Sequence, residues 1–232
     1  CWVDWSRCWP HRRSFALPKT RAFGVMDNWR RLPRSLLIGT LLAFIGVGLP
    51  AVAAAQAITA CDWEVGHPSD PDRVGPGVSS SKVDTERAMA ACRSDLSTDS
   101  DNPRLQYQLA RAIVYHADRH GTSYEEGMVY LAQSAAAGHT QAMFVYGLML
   151  SRESRVCEAA PWMRRAAEAG LKSARLAYVD NAVGGRWSDC GVVLDADLMS
   201  GFLDAAAEQV SGYYESMLLG ALRRELVRLT SL

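Results

Sequence analysis

From Asp84 onward, apolar residues return three and four positions apart, the spacing of one helix face, and prolines are reduced to Pro103 and Pro161. The stretch before it reads differently. Residues 62–81 hold His67-Pro68, Asp70-Pro71, Gly75-Pro76-Gly77 and Ser79-Ser80-Ser81, a density of breakers that forbids a long helix or an interior strand. An irregular head is therefore expected over 58–83 and a helical body over 84–232. Asp84 is expected to open a helix carrying Ala88, Met89, Ala91 and Cys92, which ends before Asp99-Ser100-Asp101-Asn102-Pro103. Pro103 is expected to open the next one, since a first-turn N–H has no intrahelical partner to lose.

Within the body the pattern repeats. Tyr130, Ser134-Ala135 and Gly138 realign 32 residues later with Trp162, Ala166-Ala167 and Gly170, and after 40 more with Phe202 and Ala206-Ala207. Val210 departs from this register at the glycine position. A second helix precedes each: Leu105 to Tyr115, Ala142 to Leu150, and Ala174 to Ala182, with Glu215 to Leu229 starting a fourth. In these, Leu109-Ala110, Tyr146-Gly147, Tyr178-Val179 and Leu219-Gly220 occupy one position. The expected object is a stack of helix pairs. Small residues such as Ala110 and Gly147 let the two helices of a pair approach, and Tyr130, Trp162 and Phe202 fill the space between successive pairs. Gly138 and Gly170 supply left-handed caps. No single pair buries its own apolar face, so several must stack.

Ala142, Tyr146 and Gly147 followed by Trp162, Ala166, Ala167 and Gly170 resemble the Sel-one-like repeat, a relative of the tetratricopeptide repeat. Its pattern is Ala-x-x-x-Leu-Gly in the first helix and Trp-x-x-x-Ala-Ala-x-x-Gly in the second. The resemblance covers about residues 84–229. The family's Gly-rich inter-helix loop is shortened here to Ser151–Cys157 or replaced by Gly184-Gly185-Arg186-Trp187. The head, with Asp70-Pro71-Asp72-Arg73, and the segment Asn102 to Leu109 are similar to the N-terminal part of exported bacterial repeat proteins. The resemblance implies an all-α protein, a right-handed α-solenoid of stacked helix-turn-helix repeats, that binds another protein rather than catalysing a reaction.

Charge and address change the picture further. The chain holds 25 Lys+Arg and 25 Asp+Glu, yet residues 1–57 carry a net +6 and residues 58–232 a net −6. An acidic body argues against nucleic acid, whose phosphates call for a basic face, and an apolar content of 49% excludes wholesale disorder. Arg30, Arg31 and Arg34 precede an uncharged run from Leu36 to Ala57 that ends in Ala55-Gln56-Ala57, the make-up of a secretory signal peptide over residues 26–57 cut after Ala57. The competing reading is an uncleaved anchor, through which alone the protein would meet a membrane. Residues 1–25, Trp-rich and basic ahead of Met26, are read as upstream translation. The expected location is the periplasm or the medium. Of the six cysteines this leaves Cys61, Cys92, Cys157 and Cys190 in the exported body, where disulfides persist. Three connectivities are open. The expected one is Cys61–Cys92 with Cys157–Cys190, because each element of a repeat array touches only its sequence neighbours.

Candidate chemistry is sparse. His116 and His120 stand at i, i+4, a metal-binding spacing, but Ala117 replaces the Glu of the H-E-x-x-H motif. A solvated helix end is the expected explanation, and a cell-envelope hydrolase or metal-dependent factor using the pair is the alternative function. Ser79 to Lys82 fits S-x-x-K without its companion motifs. Asp70 and Asp72 lack the remainder of a calcium loop, and a reactive thiol at Cys157 has no assignable histidine. No catalytic residue, metal or cofactor is therefore expected. Partner contacts are expected where first helices turn residues away from the packing of their own pair: Gln108, Arg111, Tyr115, Met149, Asp180 and Asn181. Arg111 and Tyr115 are the residue types that most often dominate interfaces.

Overall fold

The structure is a computed structural model that describes residues 57–231; the segment read as upstream translation and nearly all of the one read as a signal peptide lie outside the described residues. Among the described residues every regular element is helical: α1 (Ala60–Val65), α2 (Thr85–Leu96), α3 (Pro103–His120), α4 (Glu125–Ala136), α5 (Thr140–Arg152), α6 (Val156–Glu168), α7 (Lys172–Val183), α8 (Ala196–Ala207) and α9 (Tyr213–Thr230). Each packs on the next in chain order, and the further contacts of note are α1 with α3 and α7 with α9.

The helix starts follow from local chemistry. Asp84 accepts the N–H of Arg87 at the start of α2, and Asn102 accepts those of Arg104 and Leu105 ahead of Pro103. The ends repeat one device. After α4, the His139 N–H donates to the Ser134 carbonyl and that of Gly138 to Ala135, with Gly138 at φ +92°. After α6 the same pair of bonds runs from Leu171 to Ala166 and from Gly170 to Ala167, with Gly170 at φ +98°. These are Schellman caps. Helices α5 and α7 end likewise, with Ser154 (φ +63°) and Gly185 (φ +69°) in the left-handed position. Val210 follows no such turn.

The core forms two clusters. The larger runs from Tyr107 through Leu150, Met163 and Trp187 to Leu226; the smaller gathers Cys61, Val65, Val83 and Cys92 against Leu105, Leu109 and Ile113 of α3. Gly147 lies so close to α6 that a Cβ there would meet Met163 Cγ at 2.8 Å, and one on Gly127 of α4 would meet Ile113 of α3 at 3.2 Å. Small residues thus set the approach in the pairs α3–α4 and α5–α6. Two of the aromatics pack inside their own pairs, Trp162 meeting Tyr146 edge-on at 5.4 Å and Phe202 meeting Tyr178 at 5.7 Å, while Tyr130 packs against both core clusters. Trp187, in the loop that replaces the Gly-rich turn, is fully buried against Tyr178. Two disulfides close, Cys61–Cys92 and Cys157–Cys190. They fit an oxidising compartment, and no helix of the described residues is long and apolar enough to cross a membrane.

Candidate functional site

The densest polar arrangement lies where the head meets α3. Thr59 caps α1, and Asp62 returns the favour to the Thr59 N–H, a capping box on a six-residue helix. That box holds Asp62 fully buried, with Arg104 Nη1 2.9 Å from both its oxygens and Gln108 Nε2 donating at 2.8 Å. One turn further along α3, Arg111 donates from Nη1 to the carbonyls of Val65 (2.6 Å) and Gly66 (3.1 Å), and from Nη2 to that of Val78 (2.8 Å). Its guanidinium also lies over the Tyr115 ring, 5.0 Å from the centroid. Arg119 extends the series, donating to the carbonyls of Val83 and Ser80. Loop carbonyls that a proline-rich segment leaves without ladder partners are satisfied by arginines from one helix.

The same face explains His67. Its Nδ1 accepts the Ser69 N–H, and burial, reinforced by the positive charge of Arg111, pushes its pKa down to about 4. Burial raises that of the Tyr107 hydroxyl, against the opposing positive charge of Arg111.

A second cluster ties the head to α5. Asp70, Asp72 and His139 bring one ligand atom each within 4.8 Å of one another, the geometry a cation would need. The imidazole decides against that use. His139 is the N-cap of α5, and its Nδ1 accepts the Ala142 N–H at 3.2 Å, so the neutral ring carries its proton on Nε2. Nε2 faces Asp70 Oδ2 at 3.3 Å and Asp72 Oδ2 at 3.8 Å. Metal on Nε2 would force the proton onto Nδ1, against an N–H, and break the cap. The cluster sets the head against the start of α5, where Asp72 Oδ2 accepts the Thr140 N–H at 3.4 Å and Tyr107 stacks on the His139 ring at 4.9 Å, while Nε2 and Asp70 Oδ2 face each other without a hydrogen bond.

The residues expected to contact a partner are scattered by this arrangement. Gln108 is 0% exposed and Arg111 6%, both bonded to the head, so the expectation that they stand open to a partner is corrected: the chain's own head covers them. Tyr115 is half-buried and accepts from Arg111 Nε. Met149 is a core residue rather than a surface one. Asp180 is exposed, whereas the Asn181 amide donates back to the Ala177 carbonyl of its own helix. The His116 and His120 rings lie 4.4 Å apart at the end of α3, with His116 Nδ1 at 3.1 Å from Thr85 Oγ1, a polar end contact. Ser80 to Lys82 form an exposed turn. The sequence carried one signal for the buried cluster: three arginines at Arg104, Arg111 and Arg119, spaced seven and eight apart, place guanidiniums on one helix face.

An open surface lies at the other end of the array. On α9, Tyr213 is 73% exposed, Tyr214 83% and Met217 54%, with Leu218 and Val227 beside them. Apolar side chains gathered on one helix are the usual mark of a contact surface.

No protein-family model, no curated protein and no solved structure matches this chain.

Proposed function

We propose that the chain is an exported helical-repeat protein, periplasmic or secreted, whose stacked helix pairs form a solenoid that docks another protein without catalysing a reaction. The supporting observation is the Schellman cap that ends the second helix of two successive pairs at Gly138 and Gly170, 32 residues apart, the spacing of the sequence repeat. Arrays of this kind spread extended surfaces to which every unit contributes. The two disulfides favour the oxidising address.

The test places a photo-crosslinking residue at exposed Val129 of α4 and at exposed Leu148 of α5 in the full chain, in the cells that make it. A discrete adduct with a different protein at either site is expected. Illumination that yields none at both, with the protein shown exported and folded, overturns the reading. N-terminal sequencing of the same material is expected to begin at Ile58; a product that retains Leu36 to Val52 makes the protein membrane-anchored instead.

A further inference from the structure

Helix α9 stands in the register of a first helix, with Leu219-Gly220 at the position of Tyr146-Gly147. Two units earlier, on α5, the glycine in this register, Gly147, is filled from outside by Met163 and the Ala159 carbonyl of α6, while the unit between carries buried Val179 there. Gly220 stands in the same register, yet a Cβ there would meet only Arg224 of its own helix, at 3.5 Å. The notch that elsewhere receives a helix is open. Around it the side chains of Tyr213, Met217, Arg224 and Arg228 recur at helical spacing on the side away from buried Leu219, Leu222 and Leu226.

That face is polarised along its length. Its N-terminal half is aromatic and apolar (Tyr213, Tyr214, Met217), its centre is small (Gly220, Ala221), and its C-terminal half carries Arg224 and Arg228, the latter ion-paired with Glu225 of the same helix. A surface with complementary chemistry at its two ends matches itself when turned through a two-fold axis at its middle. We infer that α9 pairs antiparallel with α9 of a second copy, crossing at Gly220 and Ala221. The tyrosines of each helix then meet the Arg228 end of the other, guanidinium over aromatic ring, and Met217 faces the stem of Arg224. The small residues at the crossing admit close approach, as Gly147 does within the chain. Eighteen residues give about 27 Å of helix to pair. A contact of one helix per copy is small, so the dimer is expected to dissociate on the order of micromolar concentrations.

This self-pairing uses a surface apart from Val129 and Leu148, so its failure leaves the docking of a different protein standing. The test uses the full chain with Cys1→Ser and Cys8→Ser, carrying Ala221→Cys and treated with a short bismaleimide. A band of doubled mass is expected, and Ser200→Cys on the exposed face of α8 is expected to give none. Met217→Arg, which opposes Arg224 of the second copy, is expected to lower the Ala221→Cys dimer at least about tenfold. Adding Arg224→Glu to that variant is expected to restore it, a rescue that mere misfolding does not produce. A monomer only, an adduct only with some other protein, or a dimer indifferent to Met217→Arg overturns the inference.

Discussion

Asp62 is the residue on which the head depends. Its carboxylate is wholly buried and answers Arg104, Gln108 and the start of its own helix at once, so truncating it strands a buried guanidinium. Asp62→Ala is expected to cost about 3–5 kcal/mol in urea unfolding followed by far-ultraviolet circular dichroism. Arg111→Ala removes the donor to the carbonyls of Val65 and Val78 and one of two donors to that of Gly66, and is expected to lose about 2–4 kcal/mol, where an exposed contact residue would lose almost none. His67 sets a pH dependence. Its folded pKa, about 4, lies below the ordinary 6.5, so between those values the unfolded chain binds more protons and acid favours unfolding. The stabilisation is complete above pH 6.5 and is lost as pH falls toward 4. Discounted for the partial exposure of the ring, it is on the order of 1–2 kcal/mol. His67→Gln is expected to flatten that part of the curve of unfolding free energy against pH. The helical spacing showed which face Arg104 and Arg111 share; it carried no record of what lies on that face, because the covering segment has no periodicity of its own.

At the scale of the element, caps and close approaches make opposite predictions for similar substitutions. Ser154 sits in the left-handed region, where a Cβ is costly, and ends α5 as glycine ends α4 and α6. Ser154→Gly is expected to stabilise the protein by about 1 kcal/mol, read as a higher midpoint in thermal unfolding. Gly147→Ala is expected to destabilise it by about 1–3 kcal/mol, because Met163 Cγ and the Ala159 carbonyl already fill that space. Gly201, on an open face of α8 with nothing near, gives the control: Gly201→Ala is expected to gain about 0.5–1 kcal/mol. Gly147 was legible as a glycine in register. Ser154 was not, since only the backbone shows that a serine has taken the glycine's place.

For the whole molecule, the two bridges hold different things. Cys61–Cys92 is buried in the smaller core cluster and fastens α1, and with it the head, to α2; Cys157–Cys190 ties α6 to the loop before α8, with Cys157 exposed. Their sequence separations, 31 and 33, are nearly equal, so the chain-entropy model gives each about 3–4 kcal/mol. Accessibility separates them. Mild reductant followed by a thiol label and peptide mapping is expected to mark Cys157 and Cys190 well before Cys61 and Cys92, with far-ultraviolet circular dichroism unchanged at that stage. Equal labelling of all four would mean that the head opens as readily as the outer loop.

The all-helical class, the sequential elements, the caps after α4 and α6 and the neighbouring cysteine pairs were written in the chain, because each rests on interactions within some thirty residues. Propensity, capping and short-range spacing act there without help from the rest of the molecule. The head was decided in three dimensions. Its carbonyls accept from Arg111, its Asp62 from Arg104, and its Asp70 lies 3.3 Å from a histidine that caps a helix 69 residues further on. Local patterning cannot specify contacts at that range: a polar residue on a helix face looks the same whether water or a buried loop answers it. Only the packed chain shows that Gln108 and Arg111 face inward, and that the face left open is the one on α9.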